Sequence, residues 1–137
     1  GKLTWVNGDV YIGEFTKGHQ QGSGKKIFNN GDIYEGQFEN DAFNGLGKYT
    51  DIKGDIYEGE FKNGEFNGLG KIQYSQGEIY EGKWKNGKRE GKGTFISTDG
   101  SIYEGMWKNG LPHGSGIITG ANKEKKEVKF FEGKLTQ

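Results

Sequence analysis

Tyrosine returns at a fixed interval of 23 residues, at Tyr11, Tyr34, Tyr57, Tyr80 and Tyr103. A chain with such a period is built from one small supersecondary unit. That unit cannot bury an apolar face alone and must stack on copies of itself. When each tyrosine is position 1, glycine fills whole columns. Position 3 holds Gly13, Gly36, Gly59, Gly82 and Gly105. Position 12 holds Gly22, Gly45, Gly68, Gly91 and Gly114, and position 14 holds Gly24, Gly47, Gly70, Gly93 and Gly116. Position 5 is always a ring: Phe15, Phe38, Phe61, Trp84 and Trp107.

Each period contains two strand signals, illustrated by residues 79–85 and 91–96. Asn63-Gly64, Asn86-Gly87 and Asn109-Gly110 separate them on one side, and Asn30-Gly31 or Asp99-Gly100 on the other. Asn-Gly and Asp-Gly supply the positive φ angles of tight hairpins. Helical patterning is absent, and glycine at this density costs a helix about 1 kcal/mol per residue. The expected fold is all-β: an elongated, twisted, single-layer antiparallel meander with two strands per repeat. At about 4.8 Å per strand the ribbon is on the order of 50 Å long. Alternation puts positions 1, 3 and 5 on one face and positions 12, 14 and 16 on the matching face of the next strand. A ring on one strand then lies over the bare backbone of its neighbour. The structural set is Gly36, Gly45, Gly47, Gly59, Gly68, Gly70, Gly82, Gly91, Gly93, Gly105, Gly114 and Gly116. A Cβ at these places would push the ring away.

The whole chain, residues 1–137, reads as one repeat array: a partial repeat at 1–10, repeats at 11–33, 34–56, 57–79, 80–102 and 103–120, and a charged loop with a closing strand at 121–137. Phe131-Glu132-Gly133-Lys134-Leu135 mimics the start of a repeat, but 28 residues after Tyr103 rather than 23. A phase slip of five residues is expected there. The chain opens in mid-repeat and without Met, as expected of a module of a longer chain.

Tyr80-Glu81-Gly82-Lys83-Trp84-Lys85-Asn86-Gly87, continuing to Phe95 through Gly91 and Gly93, resembles a MORN repeat (membrane occupation and recognition nexus). The resemblance covers five full repeats and the partial ends. The first full repeat departs most, with Ile12 in place of the usual Glu and His19-Gln20-Gln21 in its turn. The resemblance implies a twisted antiparallel sheet with a shallow groove. It also implies a binding or scaffolding role in the cytoplasm, with cytoskeletal, ciliary or membrane association among the family's settings.

Several chemistries are excluded or disfavoured. The 19 basic and 19 acidic residues cancel, which argues against nucleic acid. There is no cysteine for a disulfide or thiolate metal site. His19 and His113 lie roughly 40 Å apart on the strand spacing and cannot share a metal; both read as solvated turn residues. Gly45-Leu46-Gly47-Lys48 lacks the spacing and the following Ser or Thr of a phosphate loop. No catalytic group, metal or cofactor is expected.

A single sheet has no second layer to cover its ring face. Tyr34, Phe38, Tyr57, Phe61, Tyr80, Trp84, Tyr103 and Trp107 are therefore expected to stay partly open and to anchor a protein or peptide partner. Glu35, Glu58, Glu81, Glu104 and Glu132 form a carboxylate ladder on the opposite face. These are expected to pair with lysines across the strands, with Glu58 and Glu81 also serving as a recognition stripe. Phe43 and Phe66, at position 10, fall in turns and are expected to pack locally. The leading reading is a non-catalytic interaction scaffold. The alternatives are an anionic-lipid or phosphoinositide tether, centred on Lys85-Asn86-Gly87-Lys88-Arg89, and a regulatory arm of a larger enzyme such as a lipid kinase or SET-domain methyltransferase. The open end strands also invite self-association.

Overall fold

The structure, a computed structural model, describes residues 1–136. Among the described residues thirteen strands form one open antiparallel sheet in which the order across the sheet is the order along the chain. They are β1 (Lys2–Thr4), β2 (Val10–Thr16), β3 (His19–Ile27), β4 (Ile33–Glu39), β5 (Ala42–Thr50), β6 (Ile56–Lys62) and β7 (Glu65–Gln73), then β8 (Ile79–Lys85), β9 (Lys88–Ile96), β10 (Ile102–Lys108), β11 (Leu111–Thr119), β12 (Lys125–Phe131) and β13 (Lys134–Leu135). A strand of seven residues and a strand of nine alternate through the repeats.

Two turn types join them. The two-residue turns have both residues at positive φ: Asn63 and Gly64 at 50° and 83°, Asn86 and Gly87 at 49° and 80°. Asn tolerates this region better than most side chains and Gly enters it freely, which is why the pair recurs. The other turns are longer and close with two backbone bonds, as where Phe28 N–H donates to Asp32 O and Gly31 N–H to Phe28 O, both at 2.9 Å.

The pairing brings the glycines of positions 3 and 14 side by side. From Gly13 the row crosses the sheet through Gly24, Gly36, Gly47, Gly59, Gly70, Gly82, Gly93 and Gly105 to Gly116. Val128 ends it, opposite Gly116. A Cβ on Gly13 would lie 2.5 Å from the Gly24 Cα, and one on Gly105 2.6 Å from the Gly116 Cα. Only residues without a side chain let the strands approach so closely.

The position-12 glycines do something else. The register shifts by a bulge between Gly59 and Phe61, and at the corresponding place in the other repeats. Gly68, across from it, takes φ +95°, and Gly45 +98°. A Cβ there would meet the position-4 side chain, Glu60 or Gln37, and not a ring. The sequence reading placed a ring over the position-12 glycines as well as those of positions 3 and 14; the structure assigns position 12 to backbone conformation. The bulge also frees an N–H, and Glu60 Oε2 accepts the one from Leu69 at 2.5 Å. Glu14 Oε2 does the same for Ser23 N–H at 2.6 Å.

The closing segment corrects the expected phase slip. The link between β11 and β12 is residues 120–124, as long as the 97–101 link between β9 and β10. Phe130 sits at position 5 and packs edge-on to Tyr103 at 5.3 Å, as Trp107 does at 5.5 Å. Glu132 and Gly133 form the two-residue turn, at φ 49° and 83°. The mimicry of Glu-Gly at positions 2 and 3 came from turn residues that share the same letters.

Candidate functional site

Each tyrosine of the period lies on the glycine row. A Cβ added to Gly24 would come within 2.5 Å of Tyr11 Cε1 and Oη, and one on Gly116 within 2.7 Å of Tyr103 Oη. The hydroxyl reaches across its own strand and donates to the backbone carbonyl three residues on. Tyr34 donates to Gln37 O at 2.7 Å, Tyr57 to Glu60 O at 2.8 Å and Tyr80 to Lys83 O at 2.9 Å. Burial, opposed by that bond, pushes the Tyr34 hydroxyl up to about 12. Tyr80 also rises to about 12, and Tyr57 and Tyr103 rise, each with burial as the main cause.

The position-5 rings clamp each tyrosine edge-to-face from both sides. Tyr57 has Phe61 at 5.0 Å and Trp84 at 5.4 Å; Tyr80 has Trp84 and Trp107, both at 5.1 Å. The indoles also donate to the glycine row, Trp84 Nε1 to Gly70 O at 3.0 Å and Trp107 Nε1 to Gly93 O at 3.2 Å. Trp thus gains a hydrogen bond that Phe cannot make at this position.

The ring layer is closed. Tyr34, Phe38, Tyr57, Phe61, Tyr80, Trp84, Tyr103 and Trp107, expected to stay partly open, are at most 8% exposed. They form the hydrophobic core itself. A single sheet buries them because the glycine row lets each tyrosine lie low, while the position-10 side chain covers it from above. Phe43 stacks on Tyr34 at 3.9 Å, and Phe66 on Tyr57 at 3.8 Å. Both Phe residues lie in strands β5 and β7, not in turns as the sequence suggested, and they do pack locally. Arg89 takes the same place over Tyr80, with its guanidinium carbon 5.0–5.5 Å from the centres of Tyr74, Tyr80, Phe95 and Trp107.

Above this lies an outer row of partly buried side chains packed on the core: Trp5, Phe28, Phe43, Tyr49, Phe66, Tyr74, Phe95, Ile118 and Phe130. Lys26 adds an ammonium 4.8 Å from the Trp5 ring and 5.0 Å from Phe28. Tyr49 donates to Asp32 Oδ2 at 2.7 Å, and burial followed by that bond raises its hydroxyl well above the ordinary tyrosine range. This outer row forms the open surface of the ring face. The core rings masked it in the sequence, although Trp5, Phe28 and Tyr74 share position 18.

Glu58 and Glu81 are exposed on the opposite face. Glu58 stands across from Lys48 and Lys71, and Glu81 across from Lys71 and Thr94. The register expected for ion pairing is present, but among the described residues the ion pair within 4 Å is His19–Asp41. The lysines and glutamates of this face remain solvated side chains. A ligand on the rings cannot touch Glu58 or Glu81 at the same time.

His19 is more than a solvated turn residue. Its Nδ1 lies 2.7 Å from Asp41 Oδ2, and Gln20 N–H donates to Asp41 Oδ1 at 2.7 Å. These bonds, the one from His19 first, hold the Asp41 carboxyl below its ordinary value. Asp41 stands where the other repeats have Gly18, Gly64, Gly87 and Gly110, and it sits at φ 68°. In the same way His113 Nδ1 accepts the Glu132 N–H at 3.1 Å. Among the described residues no group of acidic or histidine side chains is arranged to hold a metal ion. No helix among them is long and apolar enough to cross a membrane.

An open sheet of tandem hairpins, with tyrosines laid on a glycine row, defines a β-repeat protein. The MORN repeat family model matches residues 1–10, 11–33, 34–56, 57–79, 80–102 and 103–125, and the chain belongs to that family. No curated protein sequence matches it. Among solved structures it is similar to the TCP10c domain of Drosophila melanogaster Sas-4, with 10% identity over 92% of this chain and 89% of that one, and a TM-score of 0.48. It is also similar to the SAS-4 (dCPAP) TCP domain of Drosophila melanogaster, solved in complex with a proline-rich motif of Ana2 (dSTIL). There the identity is 12% over 94% of this chain and 83% of that one, and the TM-score is 0.43.

Proposed function

We propose that the chain is a non-catalytic interaction scaffold that receives an extended peptide segment of a partner protein along its ring face. The observation that carries this reading is the outer row of half-buried rings on a rigid core. Trp5, Phe28, Tyr49, Tyr74 and Phe95 are fixed from below by the core and remain partly open above. Rigid aromatic side chains bury large area with little loss of rotamer freedom, which suits them as anchors. The eight core rings named from the sequence act as the bed of this surface, and Lys26 and Arg89 add positive charge to it. Glu58 and Glu81 then belong to the solvated back of the sheet.

The test is capture of partners from native extract by the wild-type chain and by two variants. Tyr49→Ser with Tyr74→Ser opens the ring face, and Glu58→Lys with Glu81→Lys alters the back. The expected result is loss of the captured partner with the first pair and retention with the second. Retention by a folded ring-face variant, or loss only with the charge variant, overturns the reading. Anionic vesicles of phosphatidylserine are expected to leave the chain in the supernatant near physiological salt, because its lysines alternate with glutamates and form no dense basic patch.

A further inference from the structure

Position 10 decides what stands above each core tyrosine. Phe43 and Phe66 fill the space with a ring, and Arg89 fills it with a guanidinium. In the first full repeat the residue is Gln20, a smaller side chain, and the residue is 3% exposed. Beside it opens a cavity of about 410 Å³ on the ring face, lined by Trp5, Phe15, Gln20, Lys26, Asp9 and Asp41 among others.

Three observations indicate what this cavity takes. Gln20 Oε1 is buried without any hydrogen-bond donor. A buried acceptor lacking a partner is unfavourable, so the site favours a ligand that brings N–H groups. The other groups are acceptors too: the Asp41 carboxylate, already oriented by His19 and Gln20 N–H, and that of Asp9. Lys26 is the cation among the lining residues, and its ammonium already lies over Trp5 and Phe28. Finally, the chain itself shows a group that suits the place. Three repeats on, the Arg89 guanidinium rests against Tyr74, Tyr80, Phe95 and Trp107. Around Gln20, Trp5 stands at the position of Tyr74, Tyr11 at that of Tyr80 and Phe38 at that of Trp107. Lys26 replaces Phe95.

We propose that this cavity is a receptor for an arginine side chain of a partner peptide, its planar guanidinium lying against Trp5 and Phe15 and donating to Gln20 and to the carboxylates of Asp9 and Asp41. The proposal deepens the peptide-binding reading above and rests on it, since the cavity lies at the N-terminal end of the same ring face. A guanidinium combines a flat face for the rings with several donors for the acceptors, which an ammonium does not. A neutral isostere of the same shape forfeits the attraction of the carboxylates.

The test is an NMR titration of the 137-residue chain with acetyl-Gly-Arg-Gly-amide, and with the same tripeptide carrying citrulline or lysine. The expected result is shift changes at the Trp5 indole, the Gln20 carboxamide and the Asp41 amide, with arginine bound about tenfold tighter than citrulline. Gln20→Phe, which fills the cavity with the residue found at 43 and 66, should abolish these shifts while the spectrum of the remaining repeats is kept. If that variant fails to fold, Asp41→Asn decides, with an expected loss of about tenfold in affinity. No shifts at these residues, equal binding of citrulline, or full binding by a folded Gln20→Phe chain overturns the proposal. A chain that fails this titration but still captures its partner through Tyr49 and Tyr74 loses the arginine pocket and keeps the peptide-binding surface.

Discussion

Phe66 lies flat on Tyr57, with ring centroids 3.8 Å apart and planes 3° from parallel. Beneath the same tyrosine are Gly59 and Gly70, and on its two edges Phe61 and Trp84. One tyrosine is thus enclosed on every side by contributions from three strands, β6, β7 and β8. This is how a sheet with no second layer keeps a dry core, and each contact carries a separate consequence.

The glycines of the row and those of the turns should respond differently to the same substitution. Gly70→Ala drives a Cβ into the Tyr57 hydroxyl and ring, whereas a Cβ on Gly64 meets nothing within 4 Å. The first is overpacking with no room to relax and should cost about 3 kcal/mol or more. The second costs only the left-handed backbone penalty of about 1 kcal/mol at φ +83°. Urea unfolding of both variants checks the order; equal losses would remove the packing role of the row.

Position 10 should accept any flat group that covers a tyrosine. Phe66→Ala uncovers Tyr57 and should cost about 3 kcal/mol, whereas Phe66→Arg, copying Arg89 over Tyr80, should cost less than half as much. Thermal unfolding of the two variants against wild type is the measurement. An arginine variant as unstable as the alanine one would show that ring area alone matters.

Alkaline titration should unfold the chain above pH 10. The folded values of Tyr34 and Tyr80, at about 12, lie above the ordinary 10.0, so the folded state holds its protons more tightly than the unfolded state. Their contribution is complete below pH 10 and is lost as pH rises toward 12. Tyrosinate absorbance and the circular dichroism of the sheet should therefore change together. Ionisation of these tyrosines at pH 10 with the sheet intact would contradict the burial that raises them.

Asp41 works in the opposite direction. His19 holds its carboxyl below 3.8, so its stabilising contribution is complete above that pH and fades as pH falls below it. His19→Ala should move the Asp41 titration upward, toward its ordinary value, in a carboxyl-detected NMR titration. An unchanged titration would mean that the Gln20 N–H alone holds the carboxylate.

The period by itself determined the class of fold, because glycine, ring and turn columns at a 23-residue interval leave only stacked hairpins. Asn63-Gly64 and its equivalents announced their turns, since few other pairs take two positive φ angles. The tyrosines and their position-5 rings could be placed on one face by alternation alone. Which of those rings stayed open could not be read there: burial of Tyr57 depends on Phe66 covering it and on Gly70 lying beneath it, and these meet only when β6 and β7 pair in the observed register. The position-12 glycines looked like ring seats because a bulge leaves no mark in a column of identical letters. The same holds for Asp41, whose partner His19 stands 22 residues away and reaches it only across the sheet. Local chemistry decided the strands and turns, whereas cross-strand geometry decided which surfaces were left for a partner.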